Sequence, residues 1–131
     1  MNEITLPTFT ASFTLGLKQG YHGEQWTPEE VIQVLQEEQV AMEQSTNVLL
    51  SARVTPCRIV CKGQDEPSLE LSFIQYPRFP LEEEMLRQAI LSLARRMMDR
   101  LRQNRTVVVF PDITVMVEDS QAVDPGITGQ P

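Results

Sequence analysis

Thr8-Phe9-Thr10-Ala11-Ser12-Phe13-Thr14-Leu15-Gly16-Leu17 alternates without a break, with Phe9, Ala11, Phe13, Leu15 and Leu17 on one side and small or hydroxyl-bearing residues on the other. A period of two with one apolar side predicts a β-strand. Such a strand belongs to a sheet that packs one face on its own core and leaves the other differently clothed. The rest of the chain must supply what covers the apolar face.

A loop from Lys18 to Trp26, broken by Gly20 and Gly23, leads to Thr27-Pro28-Glu29-Glu30. Threonine followed three residues later by glutamate is a capping box, and proline suits the first helical turn. Val31, Leu35 and Met42, flanked by Ile32, Val34 and Ala41, give the helix an apolar stripe, and it is predicted to end near Gln44. A second strand is expected over about Val48 to Cys61. Its apolar parity changes at Thr55-Pro56, which predicts a bulge that keeps both halves facing inward. Proline inside the run also predicts an edge strand.

Lys62 to Pro67 is a polar hairpin connection, and Leu69, Leu71 and Phe73 alternate in a third strand ending near Tyr76. Tyr76-Pro77-Arg78-Phe79-Pro80 breaks the chain. Leu86, Ala89, Ile90, Leu93, Met97 and Leu101 then mark an amphipathic helix from about Leu81 to Gln103. Thr106 to Glu118 reads as one last edge strand, bent at Phe110-Pro111-Asp112. From Asp119 to Pro131 no periodicity remains, and a flexible tail is expected.

The order strand–helix–strand–strand–helix–strand predicts an α+β fold, a four-stranded antiparallel sheet with two helices on one face. In element order this βαββαβ sandwich resembles the ferredoxin-like superfold, in particular its stand-alone dimeric versions. The expected domain spans residues 1–118. The superfold hosts sensors, cofactor-free enzymes and assembly modules alike, so it names no function.

The 131 residues are enough to bury a core without staples. A net charge of -7 disfavours binding to nucleic acid or to anionic membranes. No apolar run reaches the roughly 20 residues needed to cross a bilayer. The amino end lacks the basic start and apolar core of a secretion signal. Cys57 and Cys61, four apart in a strand, stand about 13 Å from one another. A disulfide needs α-carbons within about 7 Å, so they are read as reduced core thiols of a cytoplasmic protein.

No phosphate loop, zinc spacing, dinucleotide fingerprint or nucleophile elbow occurs, and neither a cofactor nor a metal is expected. His22, the only histidine, is a proton-carrier candidate in a glycine-flanked loop, with an ordinary exposed loop residue as the weightier reading. Glu38 falls beside Val31, Leu35 and Met42, which makes it an acid–base candidate, a side chain that reaches past the helix edge to water, or the mark of a helix that bends before it. Arg95, Arg96, Arg100 and Arg102 split over two flanks of the second helix and form no basic strip.

The outward face of the sheet carries the remaining candidates: Ser12, Thr14, Arg53, Glu70, Ser72, Ile74 and Tyr76, joined from the last strand by Val108 and Phe110. Mixed apolar and polar groups on an uncovered sheet favour a second subunit, which hides the apolar part and encloses a cavity. The first expectation is therefore a non-enzymatic homodimer that binds a small molecule or protein partner through this face. The alternative is a small cofactor-free enzyme with a pocket between the sheet faces of a dimer, where Arg53 holds an anion and Glu70 or Tyr76 moves a proton.

Overall fold

The computed structural model describes residues 1–19 and 23–119, so His22 and nearly all of the expected tail lie outside the described residues. Seven elements follow in order: β1 (Thr10–Gly16), α1 (Pro28–Thr46), β2 (Arg53–Cys61), β3 (Gln64–Ile74), α2 (Glu83–Leu101), β4 (Arg105–Val109) and β5 (Thr114–Glu118). The strands form one antiparallel sheet in the order β2-β3-β1-β4-β5.

The alternation in β1 does what it predicts. Phe13 stands opposite Leu71 on one side and Val108 on the other, and its ring stacks on Phe73 at 5.5 Å. These residues share one buried cluster with Val31, Leu35 and Met42 of α1 and Leu86, Ile90, Leu93, Met97 and Leu101 of α2. Both helices therefore cover the same sheet face.

The helix ends follow from local chemistry. The Thr27 hydroxyl accepts from the Glu30 amide at 3.2 Å, and the Glu30 carboxyl accepts from the Thr27 amide at 3.0 Å. α1 stops at Asn47 and α2 at Arg102, both left-handed, a conformation asparagine tolerates well. The Trp26 indole donates to the Leu101 carbonyl at 2.9 Å, tying the start of α1 to the end of α2. No described helix is long and apolar enough to cross a membrane.

Three expectations are corrected. The sheet has five strands, because the run from Thr106 to Glu118 folds into a hairpin. Pro111 lacks the amide and the φ freedom that a continuing strand needs, and it turns the chain with Asp112. The Phe110 amide donates across the turn to the Ile113 carbonyl at 2.9 Å. Arg87 grips Asp112 at 2.8 Å and holds its carboxyl below the usual carboxylate range.

Second, β2 has no bulge. It pairs residue for residue with β3 from Arg53–Ser72 to Cys61–Gln64, and Val48 and Leu50 are buried ahead of it. Neither face of the far end of the β2–β3 hairpin is covered, as exposed Ile59 and Val60 show, so parity there reports no burial. β2 is nonetheless an edge strand, the position that suits Pro56. Third, the unpaired cysteines are not core thiols: Cys57 is half-buried and Cys61 exposed.

Candidate functional site

On the sheet face away from the helices, pairing places the polar candidates in rows. Ser72 lies between Arg53 and Ser12, and Glu70 between Thr55 and Thr14. The Ser72 hydroxyl reaches the Glu70 carboxyl at 3.4 Å, linking the two rows. Burial, reinforced by the charge of Glu70, pushes the Cys57 thiol up. The structure thus brings together five residues singled out from the sequence: Arg53, Glu70, Ser72, Ser12 and Thr14.

Beside these rows a groove of ≈ 750 Å³ opens where the ends of α1 and β3 meet the starts of β2 and α2. That volume lies within the range of about 300–1,000 Å³ typical of small-molecule sites. Arg53, Ser72 and Tyr76 line it, against walls that include Leu49, Leu50, Ile74 and Leu81. Glu70 is not part of the lining; Ser72 stands between it and the groove.

Two lining residues escaped the sequence reading as site candidates: Phe79, read only as part of a chain break, and Gln75, not singled out at all. The Gln75 amide nitrogen donates to the Leu81 carbonyl at 2.7 Å, and its oxygen accepts from the Leu81 amide at 2.8 Å. Tyr76 and Phe79 stack at 6.0 Å on the loop so closed. The available signal was two aromatic residues three apart, each followed by a proline.

Other candidates leave the site. Phe110 and Val108 face the helices, not outward: Val108 pairs with the inward-facing Phe13 of β1, and Phe110, two residues on, shares its side. Phe110 is buried against Phe9, with the Arg87 guanidinium 5.0 Å from its ring centre. The exposed residues of β4 are Val107 and Val109. Glu38 is neither a free acid nor a side chain reaching for water. Arg96 at 3.0 Å and Arg100 at 2.7 Å hold it, and Arg100 also donates to Glu37. The hydrogen bond from Arg100 holds the Glu37 carboxyl below its ordinary range.

This clamp joins α1 to α2, so Glu38→Ala is expected to destabilise the fold. A hydrogen bond to a charged group contributes about 1.5–3 kcal/mol. The arginine side chains are 38% and 39% exposed, which moves the expected loss toward the lower end. Urea unfolding reads it as a lower midpoint at unchanged slope. A midpoint that stays put would remove the clamp from the account of helix packing.

Among the described residues no group of three His, Cys, Asp or Glu side chains is arranged to hold a metal ion. No family model and no curated protein matches the chain. Solved structures do. A phage SAM lyase in complex with S-methyl-5′-thioadenosine is similar with a TM-score of 0.66 at 16% identity, over 94% of this chain and 98% of that one. A phage SAM lyase in the apo state is similar with a TM-score of 0.68 at 19% identity, over 88% and 92% of the two chains. The fold is shared almost end to end. Both similar structures are of an enzyme, which runs against the expectation of a non-enzymatic binding module and favours its alternative.

Proposed function

We propose that this protein is a cofactor-free lyase that cleaves S-adenosylmethionine to S-methyl-5′-thioadenosine at the groove beside Arg53, on a ferredoxin-like core extended by β5. The observation that carries the reading is the end-to-end likeness to an enzyme seen with that product, together with an arginine lining a largely apolar groove. The net charge of -7 suits a substrate with a sulfonium and an ammonium group.

The chemistry asks little of the protein. The bond between the sulfonium sulfur and Cγ of the amino-acid part breaks, and its electron pair stays on sulfur, giving the neutral thioether. The four-carbon fragment completes itself without water in one of two ways. Its own carboxylate oxygen bonds to Cγ and closes a lactone, with no proton transferred. Otherwise Cβ gives a proton to a base and an alkene forms. In the first route two opposite charges vanish as the bond breaks, a change that surroundings of low dielectric favour. Arg53 is assigned the substrate carboxylate, as a planar fork suited to it. Glu70 lies outside the groove lining, so its assignment to the cationic end or the Cβ proton requires the substrate to extend past Ser72 onto the outer sheet face.

Exposed Ile74, Val107, Val109 and Met116 support a second copy of the chain against the outer face, where it closes the groove from water. A cytoplasmic location goes with the unpaired cysteines.

The test is direct. Purified protein incubated with S-adenosylmethionine should release S-methyl-5′-thioadenosine faster than a protein-free control, and the proton NMR spectrum of the four-carbon product tells the lactone from the isomeric alkene, which alone shows vinyl signals. Release no faster than in the control would overturn the reading.

A further inference from the structure

Tyr76 and Phe79 are both exposed, at 51% and 72%, yet their loop is held firmly. Gln75 closes it with two hydrogen bonds to Leu81, and the Phe79 amide donates to the Tyr76 carbonyl at 3.1 Å. Pro77 and Pro80 restrict the backbone between. The rings lie 29° from parallel and line the groove that also contains Arg53. Packing of the fold does not use these rings: neither belongs to the core cluster or its flanking apolar layer. A rigid, preformed aromatic surface binds a flat ligand without the cost of ordering a loop.

We infer that the Tyr76–Phe79 pair is the platform on which a purine base stacks, with Arg53 left for the carboxylate end of the same ligand. The identity of the base as adenine rests on the lyase reading above. The platform itself rests on the two rings and their clamp.

Calorimetric titration with adenosine, S-methyl-5′-thioadenosine and 5-methylthioribose, the last without its base, tests it on the full chain. Stacking on an aromatic side chain is sequence-tolerant, and its loss is expected to weaken binding about tenfold or more. Phe79→Ala should therefore weaken adenosine and S-methyl-5′-thioadenosine by that factor, with an unchanged melting temperature because the ring is exposed. Phe79→Trp should restore both affinities, a rescue that a merely structural role would not give. Methylthioribose should bind wild type and Phe79→Ala alike.

Adenosine binding as tight in Phe79→Ala as in wild type, or no binding of adenosine at all, would overturn the platform. The two readings fail separately. Adenosine bound through Phe79 without turnover of S-adenosylmethionine keeps the platform and removes the lyase. Turnover with an unchanged KM in Phe79→Ala keeps the lyase and removes the platform.

Discussion

On the lyase reading, Glu70→Gln is expected to lower kcat/KM for S-adenosylmethionine by about 100-fold, because it removes charge and basicity while keeping the shape and one acceptor oxygen. Glu70 sits in the middle of β3, between Thr55 and Thr14 in register, and accepts from Ser72 at the groove wall. As the base that takes the Cβ proton, its loss costs about 10²–10⁴-fold, seen in kcat. As the anchor of the substrate ammonium, its loss removes a hydrogen bond to a charged group, about 10–100-fold and seen in KM. The split between kcat and KM therefore assigns the role, and it must agree with the product: alkene for the base, lactone for the anchor. The side chain is half-buried on the face without helices, so the fold should melt as wild type does. A glutamine variant as active as wild type would remove Glu70 from the mechanism.

What the sequence disclosed of this site depended on whether a local rule applied. Parity placed Ser12, Thr14, Glu70 and Ser72 on one face because β1 and the Leu69–Phe73 part of β3 bury their opposite face, and Arg53 joined them from the alternation of Val48, Leu50, Ala52 and Val54. The same rule failed in β4, where Val107-Val108-Val109 alternates nothing, and a turn at Pro111 replaced the expected bend. It failed again in β2, whose far end has no helix over either side. The capping box at Thr27 was legible because both partners lie within one turn. The partners of Glu38 lie 58 and 62 residues away, and periodicity within one helix cannot find them. The groove was illegible for a similar reason. Its walls come from separate stretches around residues 43–53, 72–81 and 86, and only the fold brings them together. The proposed chemistry, a lyase reaction without cofactor, needs no spaced motif, so the sequence could not have pointed to it.

Phe13→Ala is expected to cost about 3–5 kcal/mol, the usual range for emptying a buried phenylalanine site. Phe13 is 1% exposed, lies between Leu71 and Val108 in the central strand, and stacks on Phe73 with ring planes 27° apart. No neighbour collapses easily into the space, since both helices and three strands converge there. Against a total stability of about 5–15 kcal/mol, the loss leaves a marginal fold. Ser12→Ala, one residue away and facing out, should change stability by less than about 0.5 kcal/mol. Equal losses from the two variants would mean that the faces of β1 are wrongly assigned, and with them the whole site. The contrast with Glu70 is kinetic. Phe13→Ala lowers the folded fraction but leaves the groove chemistry intact, so its kcat per folded molecule should match wild type, whereas in Glu70→Gln a full complement of folded protein turns over poorly.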